Sequence, residues 1–177
     1  MKLRHQVYIG IGSNLGDRMT NCTRGLALLS AHKEIDLVRV SKWYETEAME
    51  GGAPSGQPPF LNAAVHITTT LLAEELLEAL IGIEAALGRP HPREKGLPRA
   101  IDLDILLYDD LAIRMEKLTI PHPELPKRLF VLVPLCDIAP DAVHPASGLR
   151  IRDLEARCRE GGRTTRITEW AEPSTAE

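Results

Sequence analysis

Arg99-Ala100-Ile101-Asp102-Leu103-Asp104-Ile105-Leu106-Leu107 is the run on which the reading of the fold turns. Side chains alternate across an extended strand, so Ile101, Leu103 and Ile105 share one face while Asp102 and Asp104 share the other. The apolar face must be covered by another layer, and the carboxylate face must be left open or filled with countercharge. The pattern predicts a strand over Ile101–Tyr108.

Upstream, Leu72, Leu76, Leu80, Ile83 and Leu87 recur at the helical period, which predicts a helix over Leu71–Leu87 closed by Gly88. Phe60–Thr70, with Val65 and Ile67, and Ile35–Tyr44, with Leu37, Val38 and Val40, are predicted strands. His5–Gly12 is a further strand carrying Val7, Ile9 and Ile11. Ser13-Asn14 is the expected cap of a helix that runs from Leu15 and ends between Ala31 and Glu34. Two segments rich in Gly, Pro or charge, Met49–Pro59 and Arg89–Arg99, are loops. Beyond the last strand, Pro121, Pro123, Pro126 and Pro134 divide the chain, with one helix expected over Arg128–Asp137. The order strand–helix–strand–strand–helix–strand implies an α+β fold, a ferredoxin-like βαββαβ core. Its sheet is expected to be antiparallel, with the helices on one face and a C-terminal extension. A domain over residues 1–160 and a frayed polar tail over 161–177 complete the expectation.

The 177 residues suit one domain, and a composition 44% hydrophobic and 26% charged is that of a globular chain. Three scattered cysteines, Cys22, Cys136 and Cys158, fit neither a disulfide framework nor a zinc site and suit a reducing compartment. With no signal-like start and no apolar run of about 20 residues, the expected location is the cytoplasm. A formal net charge of −4 argues against a general polyanion-binding surface. The expected partners are therefore small molecules, with no nucleic acid or membrane, acting on a monomer.

Two carboxylates on one strand face are tolerated when a hard cation lies between them. Mg²⁺ suits one or two carboxylates together with phosphate oxygens. The preceding loop supplies Arg89, His91, Arg93, Lys95 and Arg99, whose guanidinium groups match phosphate oxygens. This combination points to phosphoryl or pyrophosphoryl transfer, where positioning and charge neutralisation do most of the catalysis. His122, Lys127 and Arg128 form a second basic group. Gly10-Ile11-Gly12-Ser13-Asn14-Leu15-Gly16 fails the dinucleotide spacing, because the third glycine would fall on Leu15, and no Walker A loop occurs. Those glycines are read as permitting a tight turn at the strand end. An RNA-recognition module and a metal-dependent phosphohydrolase stay open as rival readings. The first is disfavoured by net charge and by Tyr8 standing alone on the strands that would bind RNA.

Gly10–Gly16, Phe60-Leu61-Asn62-Ala63-Ala64-Val65, Ile83-Glu84 with Gly88-Arg89, Pro98–Ile105 and Ile120-Pro121-His122-Pro123 together resemble the 6-hydroxymethyl-7,8-dihydropterin pyrophosphokinases of folate biosynthesis. The resemblance implies ATP as co-substrate, two Mg²⁺ ions as cofactors, and AMP and a pterin diphosphate as products. It implies that Asp102 and Asp104 hold the metals and that Arg89 and Arg99 are catalytic. ATP contacts would come from Glu84, Arg89, His91, Arg93, Arg99, Ile105, His122 and Arg128. Phe60 and Phe130 would sandwich the pterin, Asn62 would read its edge, and Thr46 and Met49 would offer backbone groups. Three features depart from the family pattern: His91 stands where arginine is common, Leu97 replaces an aromatic, and the 49–59 loop is long.

Overall fold

The computed structural model describes residues 3–50, 53–89, 96–161 and 166–171. The chain runs through strand β1 (His5–Ser13), helix α1 (Arg18–Ala31), strands β2 (Ile35–Val40) and β3 (Tyr44–Thr46), and strand β4 (Phe60–Thr69). Helix α2 (Ala73–Ala86), strand β5 (Asp102–Tyr108), helices α3 (Leu129–Ile138) and α4 (Ile151–Glu160) and strand β6 (Ile167–Glu169) follow. Every pairing in the main sheet is antiparallel. β1 lies between β4 and β5, while β2 and β3 share the far edge of β4 and β6 closes on β3.

Alternation along β1 and β5 sends Val7, Ile9, Ile11, Leu103 and Ile105 to one face. There they meet Cys22 and Leu29 of α1 and Leu76, Leu80 and Ile83 of α2 in one buried core. Gly88, at φ +88°, ends the second helix in the left-handed conformation that glycine adopts without strain. Cys22 lies wholly inside this core, and burial pushes its thiol up to about 12, against a small opposing pull from Arg18. Iodoacetamide at pH 8 should therefore leave Cys22 unmodified in the folded protein and label it after unfolding. Equal labelling rates in both states, read by mass spectrometry, would contradict that burial.

The two helices of the expected core, α1 and α2, share one face of the sheet, and the C-terminal extension supplies two more. α3 and α4 cover the opposite face, where Leu129, Leu132, Leu135, Ile151 and Leu154 pack against Ala64, Leu106 and Leu107. A register shift in the β1–β5 ladder, between Tyr8 and Ile9, lets β5 change face, so Leu106 and Leu107 both join this second core. α4 was not anticipated, although Ile151, Leu154 and Cys158 recur at helical spacing between charged residues.

Three further expectations change. The strand expected over Ile35–Tyr44 is two strands, because Ser41 Oγ accepts the Ala64 N–H at 2.9 Å in place of a ladder carbonyl. Asp17, not Ser13-Asn14, caps α1, accepting the Thr20 N–H at 3.0 Å. The tail expected to be frayed contributes β6, with Ile167 opposite Thr46 and Glu169 opposite Tyr44. Within the 49–59 loop, Met49–Glu50 pairs with Ala53–Pro54. Among the described residues, no helix is long and apolar enough to cross a membrane.

Candidate active site

The β5 aspartates emerge beside the two glycines of β1: Asp104 pairs with Gly10 and Asp102 with Gly12 across the ladder. Both glycines lie within the strand, and only Gly16, at φ +65°, uses glycine's conformational freedom in this segment. Gly12 serves a different end from the expected turn. A Cβ there would sit 2.6 Å from Asn62 Oδ1, so the missing side chain makes room for that amide. Asn62 Nδ2 in turn donates to Thr46 Oγ1 at 2.7 Å, within a buried pair.

These groups open onto one cleft of about 720 Å³. Its lining combines ionic groups, Asp102, Asp104, Arg99, His122, Lys127 and Arg128, with an aromatic and polar set, Phe60, Asn62, Thr46, Met49 and Phe130. The cleft thus collects ten of the residues singled out from sequence, from segments as distant as 46 and 130. It also adds Glu47, Glu124 and Lys127, of which only Lys127 had drawn notice, as part of a basic group.

Asp102 is held by two guanidinium groups. Arg89 Nη1 bonds Asp102 Oδ1, and Arg99 Nε lies 3.1 Å from Asp102 Oδ2, although that approach lacks hydrogen-bond alignment. Arg89 Nη1 also donates to Glu84 Oε1 at 2.8 Å and to the Ile101 carbonyl at 3.2 Å. Glu84 is fully buried and accepts the Leu103 N–H at 2.7 Å. Among the described residues, Glu84, Arg89 and Ile105 do not line the large cleft. Ile105 belongs to the core against α1 and α2, Glu84 lies beneath the aspartate strand, and Arg89 borders a smaller hollow with Leu97 and Arg99. Glu84 and Ile105 are placed near a nucleoside by the resemblance alone, and neither borders this cleft. His91 and Arg93 fall outside the described residues.

Arg99 is placed by Asn14. The Arg99 N–H donates to Asn14 Oδ1 at 2.8 Å, and the Asn14 N–H donates to the Arg99 carbonyl at 3.1 Å. The Asn14 amide also donates to Gln57 Oε1 at 3.2 Å and to the Pro58 carbonyl at 3.3 Å. Gln57 donates to the Gly96 carbonyl, which links the two loops. The Arg99 guanidinium then lies 5.0 Å over the Phe60 ring, and Arg128 lies 5.6 Å over Phe130, so each ring of the cleft carries a cation.

His122 is held beside β5, its N–H donating to the Leu106 carbonyl at 3.0 Å. Burial lowers its pKa below the ordinary imidazole value; Asp104 opposes this and Arg128 adds to it. The ring is then neutral near pH 7. Its Nδ1 accepts the Glu124 N–H at 3.2 Å, which puts the proton on Nε2 as a donor.

Among the described residues, no three His, Cys, Asp or Glu side chains come together as a metal cage. Asp102 and Asp104 alone on a strand face offer hard oxygen donors but too few to complete a coordination shell. That donor set fits Mg²⁺, which takes its remaining oxygens from water and phosphate.

The family model described as 7,8-dihydro-6-hydroxymethylpterin-pyrophosphokinase matches residues 8–140. The chain belongs to that family. It is 41% identical over 150 residues to the Synechocystis protein named 2-amino-4-hydroxy-6-hydroxymethyldihydropteridine pyrophosphokinase, covering 85% of this chain and 74% of that one. A Bacillus subtilis relative of the same name is 45% identical over 131 residues, covering 74% and 76% of the two chains. The fold is similar to that of a Plasmodium falciparum HPPK-DHPS crystallised with pteroate, with a TM-score of 0.67 at 14% identity. That match covers 89% of this chain and 45% of the Plasmodium chain.

Proposed function

We propose that this protein transfers pyrophosphate from ATP to the hydroxymethyl group of 6-hydroxymethyl-7,8-dihydropterin, a step in folate biosynthesis, releasing AMP. The observation that carries the reading is the one cleft lined both by an ionic set around Asp102 and Asp104 and by an aromatic and amide set that includes Phe60 and Asn62. A phosphate chain fits the first and a flat, hydrogen-bonding ring fits the second. The names carried by the Synechocystis and Bacillus relatives support the same reaction.

Asp102 and Asp104 would hold two Mg²⁺ ions, which when bound neutralise phosphate charge and polarise the β-phosphoryl group. Arg128 and the Nε2–H of His122 would take phosphate oxygens. Phe60 and Phe130 would hold the pterin ring by stacking, while the Asn62 amide reads its polar edge and the chain at Thr46 and Met49 offers backbone groups. Arg99, between Phe60 and Asp102, would stabilise the charge that develops as the pterin hydroxyl attacks the β-phosphorus in line, losing its proton to water, and AMP departs. Arg89 would act from beneath, fixing Asp102 while anchored on Glu84. Roles for His91 and Arg93 at the phosphates belong to this reading on sequence alone.

The strand order β5–β1–β4–β2, with α1 and α2 on one face, supports a ferredoxin-like core. The domain would then take in β6 as well as residues 1–160. A cytoplasmic monomer acting on small molecules, without nucleic acid or membrane, completes the proposal.

The deciding measurement is AMP release. AMP should form from ATP and Mg²⁺ only when the hydroxymethyl pterin is present, in step with pterin diphosphate. AMP formed equally without pterin would point to a phosphohydrolase. Arg99→Ala should lower kcat by about 100-fold, the usual scale for one preorganised donor to a developing charge. A rise in KM alone would mark Arg99 as a binding residue.

A further inference from the structure

Arg18 opens α1, where the free N–H groups of the first turn disfavour a cation. The Asp17 cap offsets part of that cost, yet the guanidinium is committed elsewhere. Its Nη2 donates to Glu45 Oε2 at 2.7 Å, and its Nη1 donates to the Pro59 carbonyl at 2.7 Å. Its plane lies 5.3 Å over the Trp170 ring. One side chain thus joins the middle of β3, the residue before Phe60 and the segment just after β6.

β3 is only three residues long and depends on both neighbours. On the β4 side, Thr46 faces Phe60 and Tyr44 faces Asn62; on the β6 side, Ile167 faces Thr46 and Glu169 faces Tyr44. The Trp170 N–H donates to the Trp43 carbonyl at 2.8 Å, and Lys42 Nζ pairs with Glu169 Oε2 at 2.9 Å. Without β6, the Thr46 side of the ring-binding wall would be a short edge strand, prone to fray. Neither Arg18 nor Trp170 lines the cleft, and β6 lies beyond residues 8–140 matched by the family model.

We propose that Arg18, Trp170 and β6 form a clasp that preforms the ring-binding wall, so that pterin affinity is set by positioning residues outside the cleft. The inference rests on the pyrophosphokinase reading. Loosening the clasp lowers the fraction of molecules with a formed wall. The apparent dissociation constant for pterin rises in inverse proportion, while turnover at saturation is unchanged.

The test uses the full chain carrying Arg18→Met, Arg18→Lys, Trp170→Ala and the Arg18→Met/Trp170→Ala pair, with ATP and pterin varied separately. Arg18→Met and Trp170→Ala should each raise the pterin KM by about fivefold to twentyfold, with kcat and the ATP KM within about twofold of the parent. Arg18→Lys should fall between Arg18→Met and the parent. The double variant should be little worse than the poorer single one, because both residues act through one unit. Parallel rises in both KM values, a fall in kcat alone, additive effects or no effect would overturn the clasp. Circular dichroism checks folding. Should Arg18→Met fail to fold, Trp170→Ala carries the test; if both fail, the contacts serve the fold and the proposal falls. Absence of pterin-dependent AMP from the parent protein would instead defeat the underlying reading, leaving the two failures distinguishable.

Discussion

Asp104→Asn is expected to lower kcat by about a thousandfold with little change in melting temperature. The expected loss follows from charge. Asparagine keeps the size and one acceptor oxygen but removes the negative charge that would hold a divalent cation against phosphate. Metal polarisation is worth several kcal/mol in such reactions, and each ~1.4 kcal/mol is a factor of ten in rate. Asp104 lines the cleft between Leu103 and Ile105, which lie in the core, and asparagine matches its size, so the fold should tolerate the change. Asp102→Asn should cost comparable activity and also stability, since Asp102 pairs with both Arg89 and Arg99. Near-parental turnover by Asp104→Asn at saturating Mg²⁺ and ATP would remove that residue from the catalytic assignment.

The second large effect concerns stability. Glu84→Ala should destabilise the protein by about 3–5 kcal/mol, the range for removing one partner from a buried ion pair. At roughly 2–4 °C per kcal/mol for a chain of this size, the melting temperature should fall by about 6–20 °C. Glu84 is fully buried and its Oε1 receives both the Arg89 guanidinium and the Leu103 N–H. Truncation takes one acceptor from each of those two donors and frees Arg89 from its anchor below Asp102. Glu84→Gln keeps an oxygen for Leu103 and should cost less. A melting temperature for Glu84→Ala within about 2 °C of the parent would show that water or relaxation replaces the carboxylate, contrary to this account.

Glu84 also shows where sequence reading stopped short. Leu80, Ile83, Glu84 and Leu87 stand at the spacing of a single helix face, so a carboxylate on that stripe is a buried one in need of a partner. The signal was present, but the partner could not be named from spacing. Asn14 is a second instance. A residue able to cap a helix was read as the cap, whereas Asp17 takes that task and Asn14 fastens Arg99 to the 55–59 loop. Both side chains can cap, and local chemistry does not rank them. Gly12 was assigned to a turn because glycine has two uses, conformational freedom and small size. Only the approach of Asn62 distinguishes them.

Alternation along residues 101–107, the helical period through Leu72–Leu87 and the strand–helix–strand–strand–helix–strand order of the core were legible in sequence alone, because each depends on neighbours within one or two turns of chain. The aspartate pair and its adjacent arginines were equally legible, since carboxylates on alternate strand positions must share a face. Tertiary structure decided the rest. It placed two helical layers on opposite faces, set Arg99 between Phe60 and Asp102, and docked Ile167–Glu169 beside Thr46. Those outcomes depend on strand register and on the bulge in β5, which fix the face each side chain meets. Contacts of that kind join segments remote in the chain, and no local pattern encodes which of several suitable partners will arrive.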